Sequence, residues 1–280
     1  MDRLVAVYGS GLVDPDTPIV CADDQGLLRG DGVFEAWLLR EGAPVLLDAH
    51  LDRLYRSVAR LALDLPERTG LVRLIREAAE AWPRDIEAVQ RLVVTRGRSA
   101  VGRPTVYTMV ERVPHWTATN RRNGIRLVTG TVGFPIHERR DAPWLLGGVK
   151  SLSYAVNMAS QRWGAIRGAQ EMLWVSSDGY ALETPSFSLV WLTESTLCTV
   201  PGWTGIIVGT TAAALSAQAP TLGLTAVEML VTPGELASAE AVWVTGSLSG
   251  VLAVTELDGQ PLAQSALLDP ARNLIGYSGG

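Results

Sequence analysis

Short apolar stretches, separated by turn residues, cover much of the chain and predict strands. In the first half, Val33–Leu39 and Pro44–Leu47 predict a hairpin across the turn at 41–42. In the second half, Ser177-Asp178-Gly179 separates two such stretches. The predicted strands are Leu4–Tyr8, Val33–Leu39, Pro44–Leu47, Val89–Thr95, Thr105–Val110, Ile125–Thr129, Glu171–Ser176, Tyr180–Leu182, Phe187–Leu192, Leu197–Val200 and, as the last one, Ala241–Thr245.

Other segments carry apolar residues at steps of three and four, the period of an amphipathic helix. The clearest runs from Asp48 to Leu65 and is stopped by Pro66. The predicted helices are Asp48–Leu65, Leu71–Ala81, Tyr154–Arg167 and Thr211–Gln218. Because few strands alternate with helices, we expect a mixed α+β fold with mostly antiparallel strands. The polar segment Pro114–Gly124 is the candidate boundary between two α+β halves.

Composition and charge exclude several classes of protein. The chain has 280 residues, of which 47% are hydrophobic and 19% charged, so it folds as a globular protein. Its net charge of −5 argues against nucleic acid as a partner. No charged residue occurs between Glu194 and Glu228, but prolines and glycines interrupt this stretch. We therefore expect buried core and a loop near a ligand here, with no membrane partner.

Two cysteines and three separated histidines provide little for a metal site or a disulfide framework, so neither is expected. The chain begins without a signal-like apolar stretch, which favours a cytoplasmic location. The glycines at 30 and 32 precede a strand instead of opening a helix, so they do not form a dinucleotide fingerprint. No phosphate-binding P-loop and no serine-hydrolase elbow is found.

Lys150 is the only lysine in the sequence, while 23 of the 24 basic residues are arginine. It lies among small and apolar residues, in Gly147-Gly148-Val149-Lys150-Ser151. A genomic preference for arginine could leave one accidental lysine, but such a lysine is expected among charged neighbours. A desolvated lysine can lose its proton and attack an aldehyde, which arginine cannot do. We therefore interpret Lys150 as a candidate nucleophile.

Five segments in order resemble the class IV, or branched-chain-aminotransferase-like, family of pyridoxal-phosphate enzymes. They are Gly30-Asp31-Gly32-Val33-Phe34-Glu35, His50-Leu51-Asp52-Arg53-Leu54, the Lys150 segment, Glu183, and Gly205-Ile206-Ile207-Val208-Gly209-Thr210-Thr211. The resemblance covers nearly the whole chain. It implies a two-domain fold of type IV, with a smaller N-terminal α/β sandwich at 1–118. A larger, mixed, barrel-like domain at 119–280 would then carry the lysine.

The resemblance also implies pyridoxal 5′-phosphate as cofactor. Lys150 would form the Schiff base and Glu183 would face the ring nitrogen, although Glu183 by itself is typical of a solvated acid at a strand end. The phosphate would be bound by Gly209, Thr210 and Thr211, which could equally be a simple helix cap. The other residues that the resemblance assigns to the cofactor are Arg53, Tyr154, Ser188, Thr245, Gly246 and Ser247. Arg53 could instead lie on a solvated helix face, and Tyr154 could belong to the core.

Two departures from the family pattern leave the subgroup open. Ser188 stands where many relatives have Asn, and Ala212 where many have Arg. The length of the chain and the segment from Lys150 to Asn157 resemble aminodeoxychorismate lyases more than branched-chain transaminases. We therefore expect a lyase that converts 4-amino-4-deoxychorismate into 4-aminobenzoate and pyruvate, for folate biosynthesis or for a secondary-metabolite pathway.

A class IV aminotransferase for D-amino acids or branched-chain donors is the second possibility, and a ligand-binding homologue without catalysis is a third. Retention of Lys150 and Glu183 argues against the third. The small amino substrate would meet Phe34, while Arg96, Arg98 and Arg103 are candidates for binding its carboxylates, unless they are ordinary surface arginines. The resemblance further implies a homodimer.

Overall fold

The computed structural model describes residues 2–277 and contains two compact units. The first unit runs to Pro114 and also includes Val149–Tyr154. The second comprises His115–Gly148 and the chain from Ala155 onwards. The sequence predicts a boundary at 118/119 with the lysine in the second domain. The contacts instead divide the chain after Pro114, and the lysine segment packs with the first unit.

The first unit is an antiparallel sheet with two long helices. Its strands are β1 (Arg3–Val7), β2 (Gly11–Val13), β3 (Gly32–Arg40), β4 (Ala43–Pro44), β5 (Ala88–Thr95) and β6 (Thr105–Arg112), in the spatial order β2-β1-β6-β5-β3-β4. Its helices are α1 (Gln25–Arg29), α2 (Leu47–Arg60) and α3 (Arg68–Glu80). The core includes Trp37 of β3, Leu54 of α2 and Ile75 of α3, all fully buried. Burial of these side chains is the main stabilising term.

The strand predicted at Pro44–Leu47 is wrong beyond Pro44. Strand β4 pairs only Ala43 and Pro44 with β3, and Leu47 already opens α2. Leu46 between them has a φ of 55°, in the left-handed region, which turns the chain out of the extended conformation. The other strands and helices predicted for this unit are confirmed to within a few residues, except that α2 ends at Arg60, five residues before its predicted end.

The second unit is built on a mixed sheet. Its strands are β7 (Ile125–Thr131), β8 (Glu171–Val175), β9 (Ser188–Thr193), β10 (Thr196–Thr199), β11 (Thr225–Glu228), β12 (Ala241–Gly246), β13 (Gly250–Leu257) and β14 (Gln260–Pro261). The spatial order is β11-β10-β9-β12-β13-β7-β8, and β14 pairs with β13. Its helices are α4 (His115–Asn123), α5 (Glu138–Asp141), α6 (Ala155–Ile166), α7 (Thr210–Gln218), α8 (Pro233–Ala237) and α9 (Leu268–Leu274).

Two predictions for the second unit need correction, and one helix was not predicted. The polar segment after Pro114, predicted only as a boundary, is helix α4, in which only Thr117 is buried, so no apolar stripe marks it. Tyr180–Leu182 forms an isolated bridge instead of a strand. Ala241–Thr245 is not the last strand, because β13 follows it and lies between β12 and β7. The buried half of β13 is a continuous apolar run, which periodicity alone does not identify as a strand.

The uncharged stretch between Glu194 and Glu228 forms β10, α7, β11 and the loops that join them. Within residues 2–277, every helix is either too short or too polar to span a bilayer. The mixed α+β fold predicted from the pattern is confirmed. Strands are antiparallel throughout the first unit, whereas β7 pairs in parallel with both β8 and β13.

One carboxyl group is buried where α6 packs against β8. Glu171 accepts a hydrogen bond on Oε1 from Gln161 Nε2 at 2.7 Å, while its Oε2 has no hydrogen-bond partner among residues 2–277. Burial raises the pKa of Glu171 to about 7, against the stabilising effect of its polar neighbours on the anion. The folded protein therefore retains this proton at pH values where the unfolded chain has lost it.

We expect Glu171→Gln to stabilise the protein at high pH. The pKa of Glu171 is raised from 4.5 to about 7 on folding, so the wild type loses stability as pH rises through this window. The variant carries no such proton, and its free energy of unfolding relative to wild type should rise by about 3 kcal/mol between about pH 4 and about pH 8. Urea denaturation at both pH values measures this, with the exposed Glu240→Gln as control. If variant and wild type differed in free energy of unfolding by the same amount at both pH values, the raised pKa of Glu171 would be contradicted.

Candidate active site

The residues singled out from the sequence divide between the two units, and each group is described within its own unit. In the first unit, the lysine segment lies along the edge of β3. Phe34 N–H donates to the carbonyl of Lys150 at 3.1 Å, and Leu152 N–H donates to the carbonyl of Gly32 at 2.8 Å. Lys150 N–H donates to Ser57 Oγ at 3.2 Å. These bonds place the lysine backbone against a rigid strand and helix α2.

The Lys150 side chain lies beside two aromatic rings. Its Nζ is 4.5 Å from the centroid of Phe34 and 5.7 Å from that of Tyr154. The two rings pack edge to face, with their centroids 5.3 Å apart. The first unit therefore brings together Lys150, Phe34 and Tyr154, three of the residues predicted from the sequence. Aromatic faces favour a cation, so this contact holds the lysine side chain beside the two rings.

Arg53 belongs to a buried group of charged residues on the α2 side of β3. Its Nε and Nη2 each donate to a different oxygen of Glu35, both at 2.7 Å. Glu35 also accepts a hydrogen bond from His50 Nδ1 at 2.7 Å. His50 and Arg53 are three residues apart on α2, so both face the strand. The alternative of a solvated helix face for Arg53 is wrong, because Arg53 is buried.

The charges within this group are clearly assigned. Burial alone would raise the pKa of Glu35, but the Arg53 guanidinium and the hydrogen bonds from Arg53 and His50 lower it to about 2. Burial lowers the pKa of His50 below 6.5, so at neutral pH the ring is uncharged and donates through Nδ1–H. The group is thus one carboxylate, one guanidinium and one neutral imidazole.

The three arginines proposed for substrate carboxylates lie in or beside the loop that follows β5. Arg96 forms an ion pair with Asp31, from Nε to Oδ2 at 2.6 Å, and donates to the carbonyl of Leu61. Arg98 forms an ion pair with Asp23 at 2.7 Å. Arg103 is exposed. Arg96 and Arg98 therefore already have carboxylate partners within their unit, and the substrate role of all three stays a prediction.

In the second unit, Glu183 is buried where the chain approaches β9. Both of its carboxylate oxygens accept from Ile207 N–H, at 3.2 and 3.1 Å. Arg139 lies nearby, with Nη1 4.0 Å from Glu183 Oε1 and 3.2 Å from the carbonyl of Gly205. Burial lowers the pKa of Arg139, and the Glu183 carboxylate opposes this shift. The Glu183 carboxyl group thus has a backbone donor and a guanidinium beside it.

The predicted phosphate loop leads into α7, a helix whose N-terminus has no side-chain cap. Gly209 directly precedes the helix. It lies so close to Ser188 that a Cβ at this position would be 2.4 Å from Ser188 Oγ. Thr211 Oγ1 is buried and has no hydrogen-bond partner in the described part of the chain. Because no side chain caps the helix, it presents its N-terminal N–H groups and the positive end of its dipole to a ligand. The simple cap considered from the sequence is therefore not formed.

The turn after β12 lies at the same place. Thr245 pairs with Ser188 across β12 and β9, and Ser247 Oγ is 3.5 Å from Thr210 Oγ1. Thr245 Oγ1 is buried and, like Thr211 Oγ1, has no hydrogen-bond partner among the described residues. Such unpaired buried hydroxyls are costly unless a ligand or water satisfies them. The second unit therefore brings Ser188, Gly209, Thr210, Thr211 and Thr245–Ser247 together.

Sequence reasoning assigned no role to four residues that support these groups, namely Glu35, His50, Ser57 and Arg139, although Glu35 and His50 lie in the segments that carry the resemblance. Glu35 is an acid in the middle of an apolar strand, and His50 and Ser57 flank the apolar stripe of α2. Polar residues in such positions are a signal, because they need partners when buried. Arg139 lies in a polar segment and gives no such signal. Within residues 2–277 no group of histidine, cysteine, aspartate or glutamate side chains is arranged to bind a metal ion.

We expect Glu35→Gln to destabilise the protein by about 3 to 5 kcal/mol, because Arg53 would remain charged and buried without a carboxylate. The same isosteric change in the half-exposed Arg40–Glu87 pair, Glu87→Gln, should cost less than about 1 kcal/mol. Urea denaturation at neutral pH measures both variants. If the free energy of unfolding fell by similar amounts in the two variants, the proposed contribution of Glu35 to stability would be wrong.

Comparisons with known proteins identify the family of the chain. The family model for amino-transferase class IV matches residues 32–257. A bifunctional aminodeoxychorismate lyase / D-amino acid transaminase from Mycobacterium tuberculosis is 34% identical over 97% of each chain.

Two solved structures are also similar. The PLP-bound form of a hypothetical aminotransferase from Mycobacterium tuberculosis has a TM-score of 0.94 at 34% identity, over 98% of this chain and 97% of the other. A fold IV transaminase from Curtobacterium pusillum has a TM-score of 0.91 at 33% identity, over 98% and 96%. The predicted type IV fold is confirmed. This chain is a member of the class IV aminotransferase family.

Proposed function

We propose that the protein is a pyridoxal-phosphate-dependent lyase that converts 4-amino-4-deoxychorismate into 4-aminobenzoate and pyruvate. The observation that carries the proposal is the position of the only lysine, whose Nζ lies 4.5 Å from the Phe34 ring on a segment bonded to β3. The lyase activity is supported by the relative from Mycobacterium tuberculosis, whose name includes it and which matches along nearly the whole chain. The proposal also keeps the cytoplasmic location expected from the sequence.

The second unit has the features that a phosphate group needs. The uncapped N-terminus of α7 supplies backbone donors, and the hydroxyls of Thr211 and Thr245 are buried without partners among residues 2–277. We assign the phosphate of the cofactor to these groups together with Gly209, Thr210 and Ser247. Ser188 supports Gly209, and Gly246 lets the chain turn beside Phe187, where a Cβ would lie 2.6 Å from the ring. Arg53 is the proposed cation for the same phosphate.

Pyridoxal phosphate supplies an electron sink for the carbon next to the substrate amine. Glu183, which accepts from Ile207 N–H and lies beside Arg139, would accept a hydrogen bond from the protonated ring nitrogen. Tyr154 would hold the ring hydroxyl. Lys150 would bind the cofactor aldehyde and, when free, take the proton from the carbon that bears the amine. Removal of this proton would allow the C–O bond between the neighbouring carbon of the substrate ring and the enolpyruvyl group to break, which makes the substrate ring aromatic. The electron pair of that bond would leave with enolpyruvate, and protonation of its methylene carbon would give pyruvate.

Transamination of D-amino acids is the second candidate function, because the name of the same relative includes this activity. It needs the same lysine and the same acid. The two reactions differ in what must leave the substrate, so the difference lies in the groups that bind its carboxylates. Phe34 and the arginines at 96, 98 and 103 stay our candidates for this selection.

The test of the proposed function is release of 4-aminobenzoate and pyruvate from 4-amino-4-deoxychorismate by the cofactor-loaded protein. We expect release by the wild type and a loss of at least about a thousandfold in Lys150→Ala, because the base that moves the proton is removed. A matched variant is Arg98→Lys, which keeps the positive charge opposite Asp23. It should retain more activity than Lys150→Ala.

Binding of the cofactor without release of 4-aminobenzoate would reject the lyase. The same preparation is then given D-alanine with 2-oxoglutarate, and formation of pyruvate and glutamate would establish the transaminase instead. Absence of cofactor binding would reject both enzymes.

We also propose a homodimer, on the evidence of α6. Val156, Trp163 and Ile166 lie along one face of this helix, and Ile166 is 83% exposed. Gly164 is the only residue of α6 that is buried. A helix with large apolar side chains on its outer face is typical of a surface that another chain covers. A second copy of this chain is the partner that the family resemblance implies.

We expect Ile166→Asp to convert the dimer into a monomer, since a charge would have to be buried in the interface. Sedimentation velocity at micromolar concentration measures the mass of each variant. The control is Thr221→Asp, which places the same charge at an exposed position of the second unit. A wild type that sediments as a monomer, or an Ile166→Asp variant that stays dimeric, would contradict the proposed surface.

A further inference from the structure

A cavity of about 280 Å³ lies within the second unit, between α7 and the adjoining ends of β10 and β11. The wall of this α7 cavity includes Ala212, Ala213 and Ser216 of α7, together with residues 226–228 of β11. None of the threonine hydroxyls assigned above to the cofactor phosphate belongs to a residue of this wall. The α7 cavity is therefore a space apart from the candidate phosphate site.

The order of side chains along β10 and β11 determines which of them face α7. Leu197 of β10 belongs to the same apolar cluster as Ala212, so its side chain lies on the face of the sheet that α7 covers. Thr199 is two residues further along the strand and lies on the same face. Ala226 and Glu228 of β11 are the register partners of Leu197 and Thr199. Glu228 therefore stands on the α7 side of the sheet, at the end of the cavity wall.

Glu228 carries the only charge that the described residues contribute to this wall. The sequence has no charged residue between Glu194 and Glu228, so neither α7 nor the loops beside it can supply a cation. The Glu228 carboxylate forms no ion pair and no side-chain hydrogen bond with any residue from 2 to 277. The hydroxyls of Thr199 and Ser216 line the same cavity. The wall thus offers one negative charge and two further acceptors to a ligand.

We propose that the α7 cavity binds a small alkylguanidinium ion, with the guanidinium on Glu228 and the alkyl chain against Ala212 and Ala213. A guanidinium donates two parallel N–H bonds to one carboxylate. It is also more weakly hydrated than an ammonium ion, so it loses less when it leaves water for a mostly apolar wall. The volume lies just below the range of about 300–1,000 Å³ that holds drug-sized ligands, so a chain of about three or four carbon atoms fits.

The α7 cavity shares part of its wall with the candidate active site. Gly209 and Ser188 line the cavity, and both also belong to the groups assigned above to the phosphate. A cation in the cavity would therefore contact the segment that leads into α7 without occupying the place of the phosphate. Binding of the cation and binding of pyridoxal phosphate should consequently be compatible.

The test is isothermal titration calorimetry of the cofactor-loaded protein with propylguanidinium, and with propylurea as a neutral ligand of the same shape. A guanidinium stays protonated, so it does not react with the cofactor aldehyde. We expect one site per chain with a dissociation constant in the millimolar range or below, as befits so small a ligand. Propylurea should bind at least about tenfold more weakly, because it lacks the charge that strengthens the bonds to Glu228.

Two variants test the placement of the cation. Glu228→Gln should weaken propylguanidinium at least about tenfold and change propylurea less than about twofold, while the exposed Glu240→Gln should bind both ligands as the wild type does. Ala213→Leu places a larger side chain in the wall from an exposed position of α7, and leucine is a strong helix former, so this variant should fold. It should bind neither ligand.

Absence of saturable binding, or equal affinities for propylguanidinium and propylurea, would overturn the inference. Unchanged affinity in Glu228→Gln or in Ala213→Leu would overturn it as well. Binding that is more than about tenfold tighter to the cofactor-free protein would place the cation in the cofactor site and reject the α7 cavity. A protein that binds propylguanidinium as predicted but releases no 4-aminobenzoate would retain this inference and lose the proposed function.

Discussion

The hydrogen bonds between the lysine segment and strand β3 determine where the only amine side chain of the protein lies. Phe34 N–H and the Gly32 carbonyl are exposed on a strand edge, and residues 150–152 complete their bonding. Ser57 adds a bond from α2 to the Lys150 N–H. Because the backbone is held at three points, the lysine amine can move only by rotation of its side chain. A rigid origin of this kind is what a residue needs if it is to transfer a proton at a defined atom.

Buried charges next to this strand join β3 to helix α2. Phe34 and Glu35 are neighbours on β3, so their side chains lie on opposite faces of the sheet. One face carries the ring beside the lysine, while the other carries a carboxylate that Arg53 and His50 satisfy. The carboxylate in turn anchors α2, the helix that provides Ser57. The two faces of one strand therefore position the lysine, directly on one side and through α2 on the other.

Much of this architecture could be predicted, and the errors have physical causes. Helix α2 has a regular apolar stripe, so its existence and type follow from the period, whereas its end depends on local contacts. Helix α4 has almost no buried residue, so its sequence has no apolar period from which a helix could be predicted. Strand β13 lies in the interior of a mixed sheet, where a buried apolar run replaces alternation.

The site shows the same division. The rarity of lysine pointed to Lys150, and the order of the motifs pointed to Glu183 and the loop before α7. The pairing of Glu35 with His50 and Arg53 could not be predicted from spacing, because it depends on a strand and a helix meeting in space. The hydrogen bond from Tyr277 to the 247–249 loop likewise joins residues whose proximity only the fold creates. Local sequence patterns therefore identify single reactive residues, whereas the tertiary fold determines which residues contact one another.

The central claim is that Lys150 binds the aldehyde of pyridoxal phosphate. The most direct measurement is borohydride reduction of the cofactor-loaded protein, followed by peptide mass spectrometry. Because Lys150 is the only lysine, the α-amino group is the only other primary amine of the chain. We predict one phosphopyridoxyl group per chain on the peptide that contains Lys150, with loss of the yellow colour. A peptide that stays unmodified, or modification confined to the α-amino group, would contradict the account.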